Sequence, residues 1–444
     1  MRTLQSLDGN TLLAQEAVMT LLPPKAQAMP ITIRRKIVLL DPHGNFTKWS
    51  HLLSHNNKEW DLVLLDDPNA FLKRLNEQPT DAIILAYDIK TALKNELARQ
   101  VKKKQPNTLR FQVGIAAESG RERNLRQALM HRTFEHPTDY TDVFAQIGFL
   151  LKVHQILNRP MVQKYLGARK HTKPPAQLAI QLFDAAGSYE PVADALHVVL
   201  EKYSPLTQQV MLWVNSKAFV HHSNILGTSD LVKKVDPRKL RGLLILAYIY
   251  RVFPMAKSWD AFSFEQVVMR SMVAAQLAEE IAKDANLTSM EQEQSYLSAL
   301  LMDIGVLMLA SLKPDSYRKV LQQAEDQKQS LHTAEKQILG VFHGELGAAL
   351  LNHWLIPARV TESVFFHATP NLSNDQKMTP LTAAHVADVL LPSCWVGKTH
   401  EGEDAPAAQM RSSLSKSYLE RIKHASSYHR WALLAPKYRA MLRA

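Results

Sequence analysis

At 444 residues, with 46% hydrophobic content and a mean hydropathy of −0.19, the chain fits a soluble globular protein of two or three domains and is too long for one ordinary compact domain. The single Cys394 excludes an internal disulfide framework and fits a reducing cytoplasm, where the protein is expected. The net charge of +11 admits anionic partners, and much of it lies in residues 410–444, where eight basic residues face only Glu420, a net of +7. With only 15 Gly and long periodic apolar segments, helix should predominate. No run approaches the roughly 20 apolar residues of a membrane span. The longest candidate, residues 243–250, is flanked by Arg241 and Arg251, and Gln5, Asp8, Asn10 and Gln15 interrupt a signal-peptide core.

Residues 1–30 read as an N-terminal extension in which Leu4, Leu7, Leu12, Leu13 and Val18 line a short helix ended by Leu22-Pro23-Pro24. Residues 31–153 change character. Lys36-Ile37-Val38-Leu39-Leu40, Leu62-Val63-Leu64-Leu65 and Ala82-Ile83-Ile84-Leu85 are short apolar runs of the kind that form buried parallel strands. Arg110-Phe111-Gln112-Val113-Gly114-Ile115 adds a fourth, and Thr133-Phe134-Glu135 a short fifth. Polar helical stretches at residues 69–76 and 90–104 separate them, so a doubly wound five-stranded parallel α/β sheet is expected. Residues 154–175 are polar and basic and read as a linker helix. From 176 to 395 nearly everything is helical. Val192, Ala195, Leu196, Val199 and Leu200 form one apolar stripe, and Val267, Ala274, Ala278 and Ile281 another after a start near Ser263. Residues 400–407 read as an exposed loop, and residues 396–444 as a basic helical extension.

The front segment resembles a response-regulator receiver. Asp41 ends the first strand, where receivers place acidic metal ligands. The phosphoacceptor position at the end of the third strand holds Ala86, with Asp88 two residues on. Gly114 or Ala116 replaces the usual Ser/Thr, and His136 replaces the Lys of the Lys-Pro corner in Phe134-Glu135-His136-Pro137. The resemblance therefore implies a degenerate receiver that does not accept phosphate, since a displaced acceptor disturbs in-line attack.

The helical segment resembles the HDOD domain, the HD-related output domain of bacterial signalling proteins. The similarity rests on Ser204-Pro205-Leu206 with Val210 to Phe219, on Leu300-Leu301-Met302-Asp303-Ile304-Gly305, and on Glu335, His343-Gly344-Glu345-Leu346-Gly347, Trp354-Leu355-Ile356-Pro357, Phe366-His367 and Ala384-His385-Val386-Ala387-Asp388. Ser204 departs from the usual Asp-Pro, and Thr172-Lys173-Pro174-Pro175 matches the domain's start loosely. In catalytic relatives a His-Asp pair holds a divalent metal, but here Met302 stands where the His would be, and a thioether is a poor ligand for hard cations. The first His of the set falls near Arg270, whose fixed charge opposes a metal and suits a salt bridge to Asp303. His343, His367 and Asp388 match ligand positions of the HD-GYP relatives. The resemblance thus implies a vestigial pocket of Arg270, Met302, Asp303, His343, His367 and Asp388, with no metal, cofactor or catalytic residue. Asn215-Ser216 is expected to end one helix and cap the next, and Trp213 and Trp354 to be core aromatics.

The function implied is non-enzymatic signal transduction, with the HDOD domain presenting a surface or pocket to a signalling protein or a small anionic messenger under control of the pseudo-receiver. Two alternatives are a metal-dependent phosphohydrolase or cyclic-dinucleotide phosphodiesterase with a reduced ligand set, and nucleic-acid or anionic-surface binding through the basic C-terminus. The sequence specifies no oligomeric state.

Overall fold

The structure, a computed structural model, describes residues 35–49, 60–86, 88–114, 126, 129–134, 140–167, 192–219, 225–253, 262–354, 356–393 and 413–442. The expected helix within residues 1–30, Ala116, Glu135 to Pro137 with His136, Thr172 to Pro175, Cys394 and the 400–407 loop lie outside them. The chain divides into two compact units, one ending at Ile156 and the other beginning at Leu157.

In the front unit, β1 (Arg35–Leu40), β2 (Trp60–Leu65), β3 (Ala82–Leu85), β4 (Leu109–Val113) and β5 (Arg132–Phe134) form one sheet in the order β2-β1-β3-β4-β5. Every pairing is parallel, with Ile37 opposite Leu62 on one side and Ala82 on the other. Ile37 to Leu40 and all of β3 are fully buried, which explains their unbroken apolar runs, while β2 at the edge is half-buried. Helices α1 (Pro68–Glu77), α2 (Thr91–Lys104) and α3 (Tyr140–Leu157) complete the described part of this unit. Asp67 caps α1 by accepting the Ala70 N–H at 2.7 Å, and Pro68 occupies the first helical position. Two polar side chains on β4 are also buried. Arg110 donates to the carbonyls of Leu129 and Thr108, and Gln112 to that of Gly114, so neither is left without an acceptor.

The second unit is helical: α4 (Pro160–Gly167), α5 (Val192–Lys202), α6 (Ser204–Val214), α7 (Thr228–Lys234), α8 (Pro237–Val252), α9 (Phe264–Asp284), α10 (Ser289–Leu301), α11 (Ile304–Leu312), α12 (Pro314–Asp326), α13 (Leu331–Leu339), α14 (His343–His353), α15 (Ala358–Phe366), α16 (Pro380–Leu390), α17 (Lys416–Arg421), α18 (Ser427–Ala432) and α19 (Ala435–Leu442). Its core is built where α9, α10 and α16 pack together and where α14 packs on α11 and α15. Ser263 caps α9 as expected, and Val267, Ala274, Ala278 and Ile281 are all fully buried. Thr288 and Glu291 form a capping box at the start of α10. Trp354 is buried against Tyr248, and Trp213 against Tyr250.

Three sequence expectations need correction. Residues 289–312 are long and apolar enough to cross a membrane by length and composition, although no such run was expected. Interruption by Glu291, Glu293 and Asp303 hid it, and 89% of the window is buried in the helical unit, as a core helix pair is. Asn215 ends α6 but caps no following helix among the described residues; both ends of its amide bond the backbone of Ile225, at 2.9 Å each, and so pin a loop.

The third concerns the basic C-terminal segment, which packs into the helical unit. Tyr418, Trp431 and Tyr438 are buried. Arg421 donates to the carbonyls of Pro370, Asn371, Ser373 and Asp375, Arg430 pairs with Asp284, Lys437 with Glu280, and Arg439 donates to Leu390. The Trp431 indole N–H also donates to Asp284, at 2.8 Å. Asp284→Ala removes the acceptor of both groups, and urea unfolding should show a loss of about 1–2 kcal/mol.

Candidate functional site

The centre of the helical unit is a two-residue break. α10 ends at Leu301 with Met302 as its C-cap, α11 begins at Ile304, and the Asp303 carbonyl accepts the Val306 N–H. Met302 and Asp303 are both buried. Glycines allow the surrounding helices to close on this break. A Cβ at Gly305 would lie 1.9 Å from the His343 carbonyl oxygen, and one at Gly344 would lie 3.0 Å from the carbonyl oxygens of Val364 and Phe365. The start of α14 is thereby pressed against α11 and the end of α15.

Arg270, from the middle of α9, lies across the break. Its guanidinium bonds Asp303 Oδ2 at 3.1 Å, Asp388 Oδ1 at 2.7 Å, and the carbonyl oxygens of Asp388 and Pro392 at 2.9 and 2.8 Å. Arg270 is 3% exposed, Asp303 3% and Asp388 7%. A planar fork with several donors meets these acceptors as one lysine could not. Burial holds the Asp303 carboxyl above its ordinary range, with Asp388 adding to it and Arg270 opposing it.

Beside this clamp stand two imidazoles. His343 is the first residue of α14 and His367 follows α15, and their Nε2 atoms are 3.1 Å apart. His367 Nδ1 lies 2.8 Å from the Val364 carbonyl oxygen, which can only accept, so Nδ1 carries the proton. His343 Nδ1 lies 2.6 Å from Glu335 Oε2, which also accepts the His343 backbone N–H at 2.8 Å. Two bare Nε2 lone pairs cannot face each other at this distance, so a cation or a proton must lie between them. Burial alone would depress His343, but Glu335, Asp303 and Asp388 outweigh it and raise its pKa. Burial and the neighbouring His343 lower that of His367. The acidic neighbours of His343 thus favour its cationic form over that of His367.

The structure thus brings Arg270, Asp303, His343, His367 and Asp388 together, with Met302 adjoining them in the chain. Glu335, quoted in the motif but not placed in the pocket, anchors His343. Tyr317, which the sequence did not single out, donates to Glu335 Oε1 at 2.8 Å. A buried Tyr on an amphipathic helix carries no pattern that marks it as a site residue.

Donor atoms of Asp303, His343 and His367 lie within 4.8 Å of one another, and two imidazoles with a carboxylate match Zn²⁺ or Mn²⁺ in number and type. A resident divalent ion nonetheless does not fit alongside Arg270. Both nearby carboxylates are already paired to the guanidinium. An ion at these donors would also face the fixed charge of the Arg270 guanidinium.

His385 extends the network. Its Nδ1–H donates to the His367 carbonyl at 2.7 Å and its Nε2 accepts the Ser415 N–H at 3.2 Å, which ties the C-terminal segment to the site. Burial lowers His385 to about 4 and His332, in tilted contact with Phe342, to about 3. Both are depressed below the unfolded value near 6.5, so the unfolded chain binds more protons as pH falls through 6.5. Each therefore contributes stability that is present above pH 6.5 and lost as pH falls toward its folded value, with His385 losing on the order of 2–3 kcal/mol between pH 7 and pH 4. Urea midpoints across that range check this, and His385→Gln should flatten the slope.

In the front unit, the strand order reverses between β1 and β3, which opens a crevice at their carboxyl ends. Buried Asp41 lies there, with Oδ2 accepting the Phe46 N–H at 2.7 Å and so closing its own loop. Asn45 donates to Asp88 at 2.9 Å, and His43 also pairs with Asp88. Ala86 is buried at the end of β3.

The HDOD family model matches residues 174–370, which include the clamp, the His pair and the 302–303 break, though not Asp388. Residues 174–370 are an HDOD domain. The fold agrees. A crystal structure of an HDOD domain protein with unknown function from Geobacter sulfurreducens matches with a TM-score of 0.50 and 16% identity, covering 65% of this chain and 98% of that one. A candidate phosphohydrolase from Shewanella amazonensis SB2B matches with a TM-score of 0.45 and 16% identity, covering 64% and 97%. An uncharacterized protein of Treponema pallidum (strain Nichols) is 25% identical over 176 residues, 40% of this chain, and the chain spans 33% of that protein's length. The HDOD domain's compact unit continues past residue 370, because Asp388 and the 413–442 helices close around its core.

Proposed function

We propose that this protein is a non-hydrolytic signal-transduction regulator whose HDOD domain serves as a binding output module, tuned by a receiver-like front unit that does not accept phosphate. The observation that carries the reading is the buried Arg270 clamp. It puts a guanidinium on the two carboxylates that a metal hydrolase needs for its ions. A network closed on itself in this way suits a rigid scaffold that presents an outer surface to a signalling protein or a small anionic messenger. In the front unit, Ala86 offers no acceptor side chain, Asp41 accepts the Phe46 N–H of its own loop, and Asp88 is paired with Asn45 and His43 from that loop.

The test is hydrolysis of bis-p-nitrophenyl phosphate and a cyclic dinucleotide by the full chain with added Mn²⁺ or Mg²⁺. No turnover above buffer is expected. Metal-dependent turnover that disappears in Asp303→Ala would overturn the reading in favour of a hydrolase with a reduced ligand set, the second reading, which draws on the Asp303–His343–His367 donor cluster. Nucleic-acid binding through the C-terminus is disfavoured, because Arg421, Arg430, Lys437 and Arg439 are engaged within the helical unit.

A further inference from the structure

The short helix α4 follows α3 after only Asn158 and Arg159, and it is tied at both ends. Gln163 Nε2 donates to the carbonyl of Leu157, the last residue of α3, at 3.1 Å. Arg159 Nη2 bonds Glu345 Oε1 at 2.6 Å, and the Tyr165 hydroxyl donates to the Leu339 carbonyl at 3.5 Å. Glu345 belongs to the first turn of α14 and Leu339 ends α13. Between those helices lies a tight corner at Gly340, which has φ +72°. α4 therefore staples the corner across which Glu335 on α13 holds His343 on α14.

Glu345 is the critical element. Its side chain is fully buried, and its second oxygen accepts the Phe342 N–H at 3.3 Å, capping α14 where His343 begins it. Arg159 supplies its direct ion pair, with Lys336 more remote. A buried carboxylate deprived of its counter-charge must take up a proton, admit water or move, and any of these loosens the turn that aims His343 at His367.

We propose that Arg159, just before α4, is a latch that sets the order of the α13–α14 corner and hence of the His343–His367 network. This rests on reading the HDOD domain as a regulated module. The latch is a two-state element. With Arg159 docked, the corner is rigid; with Arg159 withdrawn, Glu345 is uncompensated and the first turn of α14 opens.

Hydrogen–deuterium exchange of the full chain tests it. In Arg159→Ala, exchange of peptides covering residues 341–347 should rise at least tenfold, while those of α9 and α10 keep the parent rates. Arg159→Lys, which keeps the charge, should show a smaller rise in the same place. The Arg159→Ala/Glu345→Gln pair should recover most of the protection, since a neutral amide needs no counter-ion and still accepts the Phe342 N–H. Unchanged exchange there in Arg159→Ala, or a uniform rise that includes α9 and α10, would overturn the latch. None of these readouts depends on hydrolysis, so metal-dependent turnover would remove the non-hydrolytic reading while leaving the latch standing.

Discussion

Replacing Arg270 with Met should lower the stability of the helical unit by about 3–5 kcal/mol, read as a shift of the urea midpoint at constant slope. The side chain is matched in length, so the loss does not come from a cavity. It comes from stranding Asp303 and Asp388 in the core with no counter-charge, together with two carbonyl oxygens that lose their donors. Arg270→Lys should recover only part of this, because one ammonium cannot span acceptors contributed by Asp303, Asp388 and Pro392. Asp303→Asn keeps an acceptor for the guanidinium and removes one buried charge, so its effect should be the smaller. The same substitution bears on the missing metal. With the guanidinium gone, Asp303, His343 and His367 become free to coordinate, and Arg270→Met should gain a melting-temperature increase from Zn²⁺ or Mn²⁺ that the parent lacks. An equal metal-induced shift in the parent would show that Arg270 does not exclude the ion.

That pocket could be assembled from the sequence because its residues occur in runs with few alternative explanations, such as Met302-Asp303-Ile304-Gly305 and Phe342-His343-Gly344-Glu345. An arginine on the apolar face of α9 is also conspicuous, since an unpaired guanidinium in a core is costly. The strands were legible for a similar reason. Four-residue apolar runs such as Ala82-Ile83-Ile84-Leu85 are buried on both faces, and little else in the front unit has that form.

What escaped depends on pairing rather than pattern. Glu335 and Glu345 look like solvent-facing residues of polar helices, and only the approach of Tyr317, His343 and Arg159 from distant segments makes their burial tolerable. The C-terminal segment shows the same limit, since Arg421 and Arg439 donate to carbonyls inside the same unit. Charge counted along the chain does not reveal whether its partner lies outside the molecule or within it.

Gly305→Ala should be more damaging than any ordinary overpacked substitution, which costs roughly 1–3 kcal/mol. The added methyl would meet the His343 backbone, with the carbonyl oxygen at 1.9 Å, the carbonyl carbon at 2.6 Å and Cα at 2.8 Å. A side chain could rotate away from such a contact, but backbone at the start of α14 cannot retreat without carrying His343 off Glu335 and His367. Gly347, one turn further along α14, also lies against Ile304 and Gly305, where a Cβ would come within 3.1–3.4 Å, so the close approach continues along the crossing. Backbone conformation is not the obstacle, since Gly305 lies within a regular helix and its φ is not positive. The clash between chains is. Gly167→Ala provides the control, as no atom lies within 4 Å of its Cβ and the change at the end of α4 should stay within about 1 kcal/mol of the parent. Gly305→Ala is therefore expected either to fail to fold or to unfold at a far lower urea concentration, and the imidazole NMR signals of His343 and His367 should lose their native positions together. A parent-like midpoint would show that the α11–α14 crossing is not as close as the structure has it, and the helix break that aims Asp303 would then need a different cause.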